Sequence, residues 1–525
     1  MLFGIINNLL AQRADCPHLK LPQGIMGDES EWVYFWRDAV HRMAGRTLAL
    51  AGTVTPDAEA IIRYHLHESV DGLLYFFAFT ADHAYLWDNS NTEWDLMFTC
   101  ASSCTHWSVA DFDNYVVATN NLDKVQYWND TTPATAFANL GGANGIDYDG
   151  AHYLTKAKYV IRHWNYLHLL STYEDGTEYP ENDRWCSAGD ITDWDTSGAG
   201  DTNYRQLAAG DRIRGAAIYD VNGANQLLLF TQHSVNAAWL ITADEVYESQ
   251  DILNHGTVGP DSIVSTPDGN VYYISLDRTR QRDVRQIGVA EPLSYDIRTK
   301  LANMHPSLDQ YIRGGYVGAL RQIWWSVPET GAASANDTTF VLSLDTKLWQ
   351  PDLPIGISAF GTYTAQETLY IDDISDIIDT VLETIDSFAP VTGDALFFVA
   401  DYSGYTYIAA NGTQDAGVDY TGSLVLSTDF TQGGGWNQYK RLHGAWLFFE
   451  SRPGTSDEVT LSFRKGDEAS WENLGTVSLD GDGKSHRQFL RFDKRVRDGH
   501  FKLAATNGFA FLGIIFDLDY TGARL

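Results

Sequence analysis

The chain has 525 residues, of which 44% are hydrophobic, 20% charged and 13% aromatic. That length is too great for one compact core and calls for several packed units, and the composition excludes wholesale disorder. Thirty-six basic residues against 69 acidic ones give a net charge of −33, which excludes general nucleic-acid binding through a basic face.

In chain order, residues 1–50 read as an N-terminal arm and lead-in segment. From there to residue 365 short strands dominate, at 73–79, 84–88, 115–119, 125–128, 167–172, 227–231, 237–241, 271–276, 322–327 and 339–344. These runs are rich in aromatic and β-branched residues and are bounded by Gly, Asn or Asp. A looser theme overlies them, in which a large residue, a polar turn and a second large residue recur. Examples are Trp87 before Trp94, Trp128 before Phe137, Trp239 before Val246 and Leu344 before Trp349. Steps of roughly 40–50 residues suit the four-stranded blades of a β-propeller, because one small twisted sheet cannot bury both its faces alone. The fold class expected is therefore all-β, a β-propeller-like domain over 51–365. An irregular β-sandwich is the alternative for the same strands.

Residues 366–390 change texture. Ile371, Ile378 and Ile385 recur every seven residues, each followed by an aspartate, Asp372, Asp379 and Asp386. Ile374, Val381 and Phe388 fill the second apolar position, so the spacing predicts an amphipathic helix or a packed acidic connector. Strands return after Pro390, at 395–400, 405–409, 423–428, 445–450, 458–464, 475–479, 488–492 and 509–516. They predict a C-terminal β-sandwich or jelly-roll-like domain over 391–525, with a strand or two to spare for the first domain.

Charge divides the chain unevenly. Residues 433–525 hold 13 Lys/Arg and 12 Asp/Glu, which leaves 23 against 57 for all that precedes them. Arg487, Arg491, Lys494, Arg495, Arg497 and Lys502 cluster there, as candidate contacts to an acidic neighbouring subunit. The four cysteines, Cys16, Cys100, Cys104 and Cys186, are too few for a disulfide framework at this length. No run approaches the ~18 apolar residues that span a bilayer. The apolar stretch 3–10 lacks a basic flank, which argues against a signal peptide. Assembly in the cytoplasm is expected.

Catalytic signatures are not found. Cys100, Cys104 and His106 lack the second ligand pair of a zinc site. His65 and His67 alternate along a predicted strand and so face one side of a sheet, while Glu68 faces the other. With a carboxylate the two could ligate a metal or move protons. The turn Asp480-Gly481-Asp482-Gly483-Lys484 opens like a calcium loop, but its twelfth position is Arg491 rather than a glutamate, so a hairpin is expected. No phosphate loop, nucleophile elbow or His-Glu-x-x-His appears. Neither a cofactor nor a metal is expected, and the chain does not read as an enzyme.

Several stretches together carry a resemblance. They are Gly4 with Pro17 and Pro22 and the segment from Arg42 to Arg46, the strand–turn–strand around Pro267-Asp268-Gly269, the isoleucine–aspartate heptads, and 424–430 ahead of Tyr439-Lys440-Arg441. In these the chain resembles the tail nozzle and tail hub β-propeller proteins of short-tailed bacteriophages. The resemblance implies a structural subunit of a virion tail, in a homo-oligomeric ring, a hexamer, around the DNA exit channel. Such a ring joins the portal or adaptor side to distal tail proteins, fibres or spikes. Viral DNA would pass an acidic wall without tight binding. The alternative is a carbohydrate-binding or carbohydrate-active propeller, since aromatic faces stack on sugars. A metal-dependent enzyme resting on His65 and His67 is the weakest reading.

Overall fold

Runs such as Val271–Leu276 and Gln322–Val327 are buried at every position. A strand covered on both faces belongs in the middle of a stack of sheets, and these two do. The structure, a computed structural model, describes residues 2–5, 23–25 and 30–520 apart from gaps, the longest being 197–201, 368–390, 430–439 and 452–456. Among the described residues no helix is long and apolar enough to cross a membrane.

Among the described residues, seven small antiparallel sheets follow one another along the chain to build one domain. The strands nearest the centre are Arg63–Glu68, Ser108–Phe112, Tyr153–His163, Ile213–Tyr219, Val264–Ser265, Arg313–Val317 and Ala359–Tyr363. A separate apolar core fills each seam. Phe77, Phe79, Trp107 and Trp128 lie between the first and second sheets. Leu170, Leu227 and Leu229 join the third to the fourth, and Ile274, Ile312 and Trp325 join the fifth to the sixth. Tyr64 and Phe76 of the first sheet pack on Tyr363 and Phe398 of the seventh, so the stack returns to its start. The domain is a seven-bladed β-propeller. Each fully buried Leu, Phe or Ile contributes about 2 kcal/mol from area removed from water.

The seventh blade is assembled from distant pieces. Ala359–Tyr363 pairs with Leu396–Ala400, that with Thr406–Ile408, and the outermost strand is Thr47–Leu48. A Cβ on Gly361 would stand 2.6 Å from the Tyr64 Cβ, so only glycine lets the seventh blade approach the first this closely. The Tyr64 hydroxyl bonds to the Thr406 hydroxyl at 2.7 Å across the same seam.

The second domain is a β-sandwich. Gly422–Asp429, Asp457–Arg464, Glu472–Leu479 and Asp498–Ala505 form one sheet with Gln23–Ile25. Lys440–Ser451, Ser485–Val496 and Phe509–Tyr520 form the other with Leu2–Ile5, Val33–Trp36 and Ala39–Arg42. Leu426, Leu447, Phe449, Leu461, Phe501 and Phe516 fill the space between them.

Three boundaries differ from the sequence expectation. The described strands within 1–50 are not an arm, because they complete both sandwich sheets and the seventh blade. The strands that the C-terminal run had to spare for the first domain are Leu396–Ala400 and Thr406–Ile408, so the propeller extends past 365 to Ile408, and the C-terminal run of the sandwich starts at Gly422–Asp429 rather than at 391. The cause is edge pairing: an open ring and an open sheet each leave backbone groups unpaired, and the N-terminal strands cover both. The turn at 480–484 is not a hairpin either, since Glu472–Leu479 and Ser485–Val496 lie in opposite sheets. The acidic connector, with Asp372, Asp379 and Asp386, lies outside the described residues except for Gln366–Glu367, which pairs with Val391–Thr392.

Candidate functional site

Strand parity divides the C-terminal basic cluster. Along Ser485–Val496 exposure alternates, so Arg487, Phe489, Arg491 and Arg495 point outward while Leu490 and Phe492 pack on the core. Lys494 falls on the other parity and pairs with Glu472 of the opposite sheet. Lys502 belongs to that opposite sheet, opposite Val425 and Ser462, and Arg497 lies outside the described residues. The outward set gains aromatic neighbours that the sequence did not announce. The Arg487 guanidinium lies 4.0 Å from the centre of the Trp446 ring, and Phe489 packs on the same ring at 4.9 Å. A cation held on an aromatic face keeps its charge available to a partner.

At the propeller axis a different group converges. The inner edge of the fifth blade is split into Gly256–Thr257 and Val264–Ser265, and the 3-10 turn Pro260–Ser262 between them carries Asp261 inward. There it meets Arg63 at 3.2 Å, His106 Nδ1 at 3.1 Å and Arg313 at 3.2 Å, from the first, second and sixth blades. Burial alone would raise the Asp261 carboxyl, but His106, Arg313 and Arg63 hold it far below the usual carboxylate range. A cavity of about 480 Å³ opens beside this cluster, lined by inner strands of the first four blades and by 260–265.

His65 and His67 do face one side of Arg63–Glu68, and both reach a single carboxylate of the second blade. His65 Nε2 and His67 Nδ1 lie 2.7 and 2.8 Å from the same Asp111 oxygen, and His67 Nε2 lies 3.2 Å from Asp130. Both His67 nitrogens are thus engaged by carboxylates, which suits the imidazolium form and leaves neither nitrogen to ligate a metal. Cys100 and Cys104 come together, and the contact between them with burial pushes the Cys100 thiol up, away from thiolate. His106 turns instead to Asp261. Asp57, Glu59 and His83, which the sequence did not single out, offer ligand atoms within 4.8 Å of one another. That set has metal-ligand chemistry, although His83 Nδ1 and Asp57 already satisfy one another at 2.8 Å.

No family model and no curated protein matches the chain. Among solved structures, the extracellular domain of a hybrid two-component system from B. thetaiotaomicron aligns with 90% of the chain at 9% identity and a TM-score of 0.43. The chain spans 62% of that domain's length. The β-propeller domain of Cps50 (Swd1) from Myceliophteria thermophila aligns with 57% of the chain, and 92% of its own length, at 8% identity and a TM-score of 0.33. The propeller fold rests on the closed ring of sheets, not on these likenesses.

Proposed function

We propose that the protein is a non-catalytic structural subunit of a virion tail, a nozzle or hub protein that assembles into a ring around the DNA exit channel. The observation that carries this reading is the outer face of the six-stranded sandwich sheet. Arg487, Phe489 and Arg491 are exposed there beside Trp446, within residues 433–525, a stretch close to neutral, in a chain whose first 432 residues hold 23 basic against 57 acidic groups. Such a face suits the acidic propeller of a neighbouring copy, with aromatic rings giving contact area and guanidinium groups setting the register. The resemblance of the heptads and of the 262–274 strand–turn–strand to phage nozzle proteins supports the same reading. An acidic wall repels phosphate, so DNA would pass without adhering.

Native mass spectrometry of the purified chain, with a density gradient of lysate from its source, tests the proposal. A closed ring that bands with DNA-filled particles supports it, and Arg491→Glu should weaken the ring with little effect on the thermal midpoint of the subunit. A monomer that stays free of particles, with Trp fluorescence quenched by oligosaccharide, would replace it by the carbohydrate-binding reading.

A further inference from the structure

The cavity at the propeller axis has polar atoms that the fold leaves without partners. Arg63 spends one terminal nitrogen on Asp261, yet its Nε–H is buried with no hydrogen-bond partner among the described residues. The Arg63 side chain is still 40% exposed, so its guanidinium borders the open space. His106 gives Nδ1 to Asp261, and its Nε2 is likewise buried without a partner. Both residues line the cavity, and buried donors and acceptors are nearly always satisfied in folded proteins, so two orphans beside one cavity point to something that occupies it.

Their chemistry narrows the occupant. Burial, with Arg313 and Arg63 nearby, keeps the His106 imidazole below its usual range and therefore neutral. With Nδ1–H donated to Asp261, Nε2 presents a lone pair, which calls for a donor such as a hydroxyl. Arg63 calls for an anionic or carbonyl oxygen. Two guanidinium groups, Arg63 and Arg313, face one carboxylate, so the cluster holds a single excess positive charge, which suits a monoanion better than a phosphate dianion. Tyr159, whose ring lies 5.4 Å from His106, and Val109, Val160 and Ile161 supply an apolar wall. A cavity of about 480 Å³ is of the size that holds one small molecule.

We infer that the axial cavity binds a small hydroxylated carboxylate of the sugar-acid class, with its carboxylate on Arg63 and a hydroxyl on His106 Nε2. The inference does not depend on the virion reading, because the cavity lies within one chain and requires no ring.

Calorimetric titration of the full chain with glucuronate, glucose and inorganic phosphate tests it. Glucuronate should bind, and glucose and phosphate each at least about tenfold more weakly, the difference made by one charge-assisted hydrogen bond. His106→Asn keeps a polar group for Asp261 but removes the Nε2 acceptor, and should lower glucuronate affinity by about tenfold in a chain that circular dichroism shows to be folded. Arg63→Gln should lower it at least as far, and circular dichroism separates that loss from unfolding. No binding of glucuronate at millimolar concentration would overturn the inference. So would glucose or phosphate binding as tightly as glucuronate, or a folded His106→Asn chain that binds like the wild type.

Discussion

Asp261 ties four blades together across the axis through a single side chain. Arg313, buried with it, also donates to the carbonyl oxygens of Gln310, Ser358 and Thr105, so its guanidinium has no route to water. Asp261→Ala leaves that cation without its carboxylate, and the cost of stranding a buried charge is about 3 kcal/mol. The expected outcome is a lower midpoint of the propeller transition in denaturant. His67 makes a pH prediction. Burial alone would lower its pKa, but Asp111 and Asp130 outweigh burial and raise it. A raised native value means that the imidazolium contributes fully below about pH 6.5, the unfolded value, and that the contribution fades as pH climbs through the native one. The gap in thermal midpoint between wild type and His67→Gln should therefore narrow from mildly acidic to mildly alkaline pH. A gap that widened would show the ring to be neutral. The alternation of His65 and His67 was legible in the sequence as one face of a strand. Asp111 was not, since it lies 44 residues beyond His67 and meets it only because two blades pack face to face.

Elements divide the same way. The middle strands of the blades were readable because both faces are buried and their runs are apolar: Tyr115–Thr119, Val271–Leu276 and Gln322–Val327 fall where the sequence placed them. Of the central strands, Arg63–Glu68 was legible through its histidine alternation, whereas Arg313–Val317 and Ala359–Tyr363, whose runs are broken by glycines, were not. Those glycines answer to the crowding near the axis rather than to chain reversal. Gly361→Ala sets a methyl group against Tyr64 and should cost about 1–3 kcal/mol by overpacking. Hydrogen exchange should then quicken first along the seam between the seventh and first blades. Faster exchange confined to the sandwich would mean that the seam is not where the ring is weakest. The two-residue strand Thr47–Leu48 gave no periodic signal at all. Its position is fixed by the unpaired edge of Thr406–Ile408 and by the Arg46–Asp415 ion pair, at 2.7 and 2.9 Å, beside it.

At the scale of the whole molecule the two domains share one N-terminal segment. Trp32 and Met43 pack into the seam between the sixth and seventh blades, while Val33 and Val40 belong to the sandwich core. The Arg42 guanidinium stacks 3.9 Å from the centre of the Tyr420 ring and donates to the Tyr420 carbonyl oxygen at 3.1 Å. A chain that begins at residue 49 should therefore lose stability in both domains, seen by calorimetry as a downward shift of every transition. A transition left unmoved would show that one domain does not need the segment. The same weave sets a timetable for biosynthesis. Residues 2–48 leave the ribosome hundreds of residues ahead of most of the strands they pair with, in 406–520. Until those arrive, the growing polypeptide carries one strand for a ring that cannot yet close and several for sheets not yet made. Folding of both domains thus waits on the synthesis of residues 406–520, and the nascent chain must be kept from pairing with its neighbours until then.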